Sequence, residues 1–528
     1  MRFLLEMSRW FVLLALAAVV YVLGGFAWSY CIADRAPRNA PMGEQIGKDE
    51  DVYTAQIVGS AIDLSMISRK KLLDASTDEK QRQAWQRQVH PQGSSSAGPN
   101  LNPSDVPDTA LDAKGNRITD SQKAPGFSTS AYRRDVHAKS HGCIYSTFQV
   151  QDDVPSQLAF GVFSHPGATY RAIVRFSSGK PQLNSDGVPD ARGFAVKLLM
   201  DADGFPAPPE KGLLDVVKDE QAREIAQEQQ QRQSSGGNDK TSPPPPETRT
   251  QDFVMINSKV FFIRTIQEYA AFSKALGEGG PMSYFIPSLL KPWTWHTREV
   301  SLATSSFKPR PDSLVTEQYY SLSAYKLGPR EYVKFSVRPC PANKPKRPAY
   351  ASKPGFFSLL WRDVRLPFAR VGEFSLDSDA YRDYLRDELS NQLKSGSPCF
   401  DFLIQPQIPE KNMPIEDTTV EWNEKASPFI PVGRLTLNQV ADNNTAEMNG
   451  VCENLSFNPW HALPEQEPVG VMNRIRKAVY QGMSRYRRDK NCSKPDAMAC
   501  TDTPAPINAT AAALNQEPAQ LQNPQTVR

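Results

Sequence analysis

The chain has 528 residues, enough for one large domain with extensions or for two or three ordinary ones. Only 39% of them are hydrophobic, so sizeable segments are expected to stay outside any core. With 61 basic against 58 acidic residues the net charge is +3, and no basic stripe appears along the sequence, which excludes nucleic acid as an expected partner.

From Trp10 to Tyr30 the chain runs 21 residues without a charge, and Arg2 and Arg9 precede it. At about 1.5 Å per helical residue this covers a hydrocarbon core of roughly 30 Å. Residues 1–33 are therefore expected to be a membrane anchor. Ala27, Trp28 and Ser29 leave a cleaved signal as the other reading. The basic flank on the N-terminal side puts the rest of the chain outside the cytoplasm. The expected location is a bacterial inner membrane, single-pass, or a secreted or periplasmic state if the segment is cleaved.

Residues 34–126 read as a linker or extended arm, because between Gln81 and Gly126 the composition turns to Gln, Ser, Pro, Asn and Asp. A folded domain is expected over 127–490, interrupted by a low-complexity stretch at 218–250 that ends in Pro243–Pro246. The tail, 491–528, is polar and rich in Ala and Pro, and is expected to be disordered. Within the domain, TYRAIVRFSSG, RGFAVKLLM, DFVMINSKVFFIR and REYVKFSVRP alternate as strands do, and SDAYRDYLRDELSNQL and PVGVMNRIRKAVYQGMSRYRRDK read as helices. Strands followed by helices give an α+β class.

Two of the six histidines and one of the seven cysteines fall in HAKSHGC, residues 137–143. Thiolate and imidazole suit zinc, but Cys31, Cys143, Cys340, Cys399, Cys452, Cys492 and Cys500 lack the close spacing of a zinc site. In an exported protein some of them are expected to pair, Cys492 and Cys500 being the nearest two outside the core, with one left over. The late helix offers Arg476, Tyr480 and Arg487 at i, i+4 and i+11, on one face. A phenol has a reference pKa of about 10, and nearby positive charge favours its phenolate, a hard anionic ligand for ferric iron. A solvated basic helix, with Arg474, Lys477, Arg485 and Arg488 contributing, is the plain alternative.

Several segments occur in a telling order: Arg134-Asp135-Val136-His137-Ala138-Lys139, Val174-Arg175-Phe176-Ser177, Asp190-Ala191-Arg192-Gly193-Phe194-Ala195-Val196-Lys197, and Asn257 before Val260-Phe261-Phe262-Ile263-Arg264. Then come Leu455-Ser456-Phe457-Asn458-Pro459-Trp460, Glu467-Pro468 and the Arg476/Tyr480/Arg487 helix. Together they resemble the haem catalase family, over about residues 127–490. The resemblance implies a catalase-like antiparallel β-barrel with surrounding helices and a haem, expected as haem b with ferric iron. It makes Tyr480 the proximal ligand, Arg476 its partner, and His137 the distal acid/base acting on hydrogen peroxide. Asn257 corresponds to the distal amide and Ser177 to the hydroxyl that orients the imidazole. Arg134, Arg175 and Arg487 match the arginines that pair with haem propionates. His141 and Cys143 are expected to be bystanders, and His165, His296 and His461 have no matching motif.

The sequence departs from the family after Tyr480, where Gln481-Gly482-Met483 replaces a pattern with aspartate two positions on. Tyr269 and Phe272 are the candidates for the aromatic that stacks on haem. The long helical C-terminal region, and with it most of a nicotinamide site, is not expected. Hydroperoxidase activity on hydrogen peroxide, with peroxidase activity toward organic donors, is the leading expectation. A fatty-acid hydroperoxide isomerase or dehydratase of the allene oxide synthase type is the second, although Val136 stands where those enzymes place a threonine. A haem-binding protein without turnover is the third. A homo-oligomer, a membrane and an organic hydroperoxide complete the set of expected partners.

Overall fold

The computed structural model describes residues 16–29, 43, 45–47, 49–62, 134, 136–180, 185–208, 248–278, 280–306, 311–346, 383–439, 452 and 455–492. Two helices open it, α1 over residues 16–28 and α2 over 50–62. Strands β1 (Ser140–Val150), β2 (Thr169–Ser178), β3 (Arg192–Asp201) and β4 (Thr248–Ile256) follow. Helices α3 (Ile266–Glu278), α4 (Pro281–Phe285) and α5 (Thr297–Ser306) come next, then β5 (Tyr319–Tyr320), β6 (Tyr325–Leu327) and β7 (Glu331–Pro339). The chain continues through α6 (Tyr384–Ser395), β8 (Cys399–Pro406), β9 (Ile430–Leu437) and α7 (Val471–Cys492).

Every strand pairing is antiparallel, and the sheet closes on itself. The order is β5-β4-β3-β2-β1-β9-β8-β7-β6, and β5 also pairs with β7, so eight strands form a barrel and β6 hangs on β7. Closure leaves the eight strands without the unpaired edges that invite aggregation. The barrel is filled by alternate side chains of each strand. On β2, Tyr170, Ala172, Val174 and Phe176 point inward, and on β3 Phe194, Val196, Leu198 and Met200 do the same. Aromatic rings dominate this interior, with Phe253 and Phe402 at 4.7 Å and Phe148 edge-on to Phe402 at 5.4 Å. Fully burying such a side chain contributes on the order of 2–3 kcal/mol before the entropy of ordering it.

The opposite faces of β1 to β3 are buried as well. Cys143, Tyr145, Ile173 and Leu199 pack outward against Cys452, Leu455 and Phe457. This second layer is where the polar outward residues Arg175, Ser177 and Lys197 sit, all with less than a tenth of their surface exposed. A strand whose two faces are both covered must give each outward polar group a partner. Lys197 accordingly donates to both oxygens of Asp252, at 2.8 and 2.9 Å, and Asp252 also accepts from the Asn458 amide.

Several sequence expectations need adjusting. The strand expected to run from Asp252 to Arg264 stops at Ile256, and the segment after it turns away toward α3. Helices α3 to α5 and α6 fall between strands, so the order is interleaved and not strands first. Strand β4 begins at Thr248, inside the expected low-complexity stretch, most of which lies outside the described residues, as do most of the arm and the tail. Of the apolar segment Trp10–Tyr30, residues 16–28 are helical; residues 10–15 and Tyr30 lie outside the described residues, and no described helix is long and apolar enough to cross a membrane.

Candidate functional site

The site gathers at one end of the barrel, between the start of β1, the end of β2, the start of β3 and one face of α7. His137 stands just before β1 with φ of +58°, the left-handed region that a residue with a Cβ rarely adopts. Its conformation is held from both sides: its amide donates to the Gly179 carbonyl at 3.2 Å, and its own carbonyl accepts from Arg175 Nη2 at 3.0 Å. The strain therefore has a support in β2 and marks the position as constrained by more than packing.

The imidazole is fixed as well. Nδ1 lies 3.1 Å from Ser177 Oγ. Gly193, opposite Ser177 in the β2–β3 register, closes the third side. A methyl group on Gly193 would come within 2.5 Å of Ser177 Oγ and 2.6 Å of His137 Nδ1, so only glycine leaves room for the ring. The titration of His137 is pushed down to about 4, first by burial and then by the positive charges of Arg175, Arg476 and Arg134, with a hydrogen bond to the Ser178 backbone acting the other way. The ring is neutral at pH 7 and able to take up a proton.

The charge of Arg476 acts on His137, so this face of α7 lies near the start of β1. Arg476 Nη2 donates to Tyr480 Oη at 3.4 Å, with the guanidinium 5.4 Å from the ring centroid. Its other nitrogen bonds Asn473 Oδ1 at 3.1 Å and Ser323 Oγ at 3.3 Å. Burial works against the charge of Arg476, but Tyr480 and Tyr325 beside it more than offset this and hold its proton more tightly than usual. Burial pushes the Tyr325 phenol up. The helix presents this face because the next one is apolar: Met472, Ile475, Val479 and Met483 pack with Ile57 and Ala61 of α2, Ile266 and Ala270 of α3, and Phe262. Tyr269 and Phe272 belong to that cluster, edge-on to Phe261 and Phe262 respectively.

The remaining predicted residues are placed as follows. Arg134 Nη2 donates to the carbonyls of Cys452 at 3.0 Å and Leu455 at 2.8 Å, which ties it to the segment covering the second layer. Arg487 is buried on α7. Asn257 is fully buried, its Oδ1 accepting from the Arg192 amide at 2.7 Å and its Nδ2 donating to Glu317 Oε2 at 3.1 Å. His141 Nε2 lies 2.9 Å from Ser178 Oγ, and burial followed by Lys139, Arg192 and other cations keeps it neutral. Cys143 is disulfide-bonded to Cys452, and Cys340 to Cys399, while Cys500 and the side chain of Cys492 lie outside the described residues. Among the described residues no group of histidine, cysteine and carboxylate side chains could hold a metal ion by itself.

Sequence reasoning assigned no role to Gly193, Glu317, Ser323, Tyr325 or Asn473. Gly193 was visible within the D-x-R-G stretch, but its contact with the imidazole depends on the β2–β3 register. Glu317, Ser323 and Tyr325 come from loops and a short strand with no local signature, and Asn473 lies on α7 one turn before Arg476.

The residues form a recognisable set. His137, Arg476 and Tyr480 are each half-buried. A phenol partnered by a guanidinium on one side, a neutral imidazole on the other and a surplus of arginine around both fit a flat, iron-bearing macrocycle with anionic arms.

A family model described as Catalase matches residues 129–205 and 370–514. The chain is similar to the catalase of Cavia porcellus, 26% identical over 374 residues that cover 68% of this chain and 56% of that protein. It is 27% identical to the catalase of Mus musculus with the same coverage, and 25% identical over 348 residues to catalase isozyme 2 of Nicotiana plumbaginifolia, covering 63% of this chain and 55% of the relative. The chain thus spans little more than half the length of the relatives it matches. Among solved structures, a fungal catalase aligns with a TM-score of 0.44 at 19% identity, over 75% of this chain and 69% of that one.

Proposed function

We propose that the chain is a member of the catalase family and a haem-dependent hydroperoxidase that breaks down hydrogen peroxide. Overall, two molecules of peroxide give two of water and one of dioxygen. What supports this reading is an oriented imidazole, His137, near enough to the Arg476–Tyr480 pair to respond to the charge of Arg476.

Tyr480 Oη would hold the haem iron, with Arg476 supplying positive charge at that oxygen. Arg134, Arg175 and Arg487 would face the carboxylates. When bound, the haem supplies the redox equivalents that side chains lack. The protein's own contribution is proton handling. With Nδ1 committed to Ser177 Oγ, Nε2 of His137 is the atom that takes a proton from one peroxide oxygen and returns it to the other. Arg175 fixes the backbone of that residue, and Gly193 lets the ring stand close to β3. Asn257, bonded to Arg192 and Glu317, offers its second amide hydrogen to the substrate.

We place the domain at a membrane through its apolar N-terminal segment and in an oxidising compartment. Two disulfides, one joining residues 309 positions apart, support that compartment. The test is an absorption spectrum and an oxygen-electrode trace of the wild type beside Tyr480→Phe and His137→Ala. A high-spin ferric spectrum that Tyr480→Phe abolishes, with oxygen release that falls by about 10²-fold or more in His137→Ala, is expected. A wild type that releases no oxygen, with His137→Ala indistinguishable from it, overturns the proposal.

A further inference from the structure

The fold holds two leucines out in water with unusual rigidity. Between α4 and α5 the segment Ile286–His296 bulges from the surface, and Leu289 and Leu290 at its tip are 78% and 82% exposed. Hydrogen bonds set this shape firmly. Trp295 Nε1 donates to the Ser288 carbonyl at 2.7 Å, Thr294 N and Oγ1 donate to the Lys291 carbonyl at 2.9 and 2.7 Å, and His296 N donates to the Phe285 carbonyl at 3.0 Å. His296 also stacks on Tyr284 at 4.3 Å, closing the base of the bulge. A preorganised apolar tip with Met282 and Trp293 exposed beside it is a surface made to be covered.

What covers it is indicated by α1. That helix docks on the flank of the same bulge: Tyr21 Oη donates to the Leu290 carbonyl at 3.0 Å, its ring meets Trp293 edge-on at 5.7 Å, Gly25 approaches Pro292 closely, and Ser29 Oγ lies 2.8 Å from Thr297 Oγ1. The helix is uncharged, and Val19, Val20, Leu23 and Phe26 on its outer faces are exposed. A helix that is apolar all round belongs in a non-aqueous phase. The leucine tip is continuous with it, and its Trp and Lys neighbours are the residue types that sit at a bilayer's polar boundary.

We propose that Ile286–His296 is a membrane-inserting foot: Leu289 and Leu290 enter the headgroup and acyl boundary beside α1, so the domain rests on the bilayer in one fixed orientation. This rests on the reading of the N-terminal segment as membrane-seated. The test reconstitutes the full chain into phosphatidylethanolamine/phosphatidylglycerol vesicles, with ordinary chains or with chains brominated near the glycerol end, which quench nearby tryptophan. Subtracting Trp293→Phe from wild type isolates Trp293, and subtracting Trp28→Phe isolates a reporter on α1. Both emissions are expected to fall about twofold in brominated vesicles, and the Trp293 effect to disappear in a Leu289→Glu/Leu290→Glu variant. A quenched Trp28 with an unquenched Trp293 overturns the foot and leaves the anchor standing. Neither quenched overturns both.

Discussion

At the scale of single residues, the site is organised by one glycine as much as by its polar groups. Gly193 is the only residue type that lets β3 pass close enough to Ser177 and His137 to hold the imidazole edge, since a Cβ there would overlap both. Gly193→Ala should displace the ring or the hydroxyl, not the barrel. Peroxide breakdown is expected to drop at least about tenfold, equivalent to about 1.4 kcal/mol of activation energy, while overpacking lowers stability by about 1–3 kcal/mol. Oxygen release and a denaturant titration on the same preparation check this; wild-type turnover in that variant would remove Gly193 from the site. The candidate site residues were legible in the sequence because each sits in a short run with a recognisable pattern, as in R-D-V-H-A-K. Their supports were not legible. Ser323 and Tyr325 reach Arg476 from a segment about 150 residues earlier, and only the fold brings them together, while Asn473 lies one turn before Arg476 on α7.

At the scale of elements, the two disulfides do different work. Cys340 and Cys399 join β7 to β8, strands already paired from Val333 to Pro339, and Cys340 N donates to the Cys399 carbonyl. Cys143 and Cys452 instead tie β1 to the segment that covers its outward face, 309 residues on, where Arg134 grips the carbonyls of Cys452 and Leu455. Longer closed loops restrict the unfolded chain more. The Cys143→Ala/Cys452→Ala variant should therefore lose about 2–5 kcal/mol of stability, and Cys340→Ala/Cys399→Ala less. Urea titrations of both beside wild type test the order, and a reversed order would count against the covering segment as a separate layer. The four alternating runs seen in sequence account for strands β2, β3, β4 and β7. Strands β1, β8 and β9 escaped notice for a physical reason: β1 is covered on both faces along most of its length, so its residues do not alternate in polarity, β8 is short and buried without alternation from Phe402 to Gln405, and β9 is broken by Pro431 and Gly433.

At the scale of the whole molecule, the barrel's polar second layer should make the fold sensitive to acid. His137 is pushed down to about 4 and His141 well below its usual range, both chiefly by burial and then by neighbouring cations. A histidine depressed in the fold is protonated more readily once unfolded. Its contribution to stability is complete above the unfolded value of about 6.5 and drains away as pH falls through that value toward the folded one. Each such group steepens the dependence by up to about 1.4 kcal/mol per pH unit in that window. Asp190 and Glu388 act in the other sense, because burial raises both and favours the fold once they protonate. The two depressed histidines predict that stability falls as pH falls from 7.5 to 5. Urea midpoints on the intact, disulfide-bonded chain across that range measure it. His141→Asn should flatten the slope without touching Tyr480 or its partner Arg476, and a slope unchanged by that substitution would mean that the cationic layer around β1 and β2 does not hold His141 neutral.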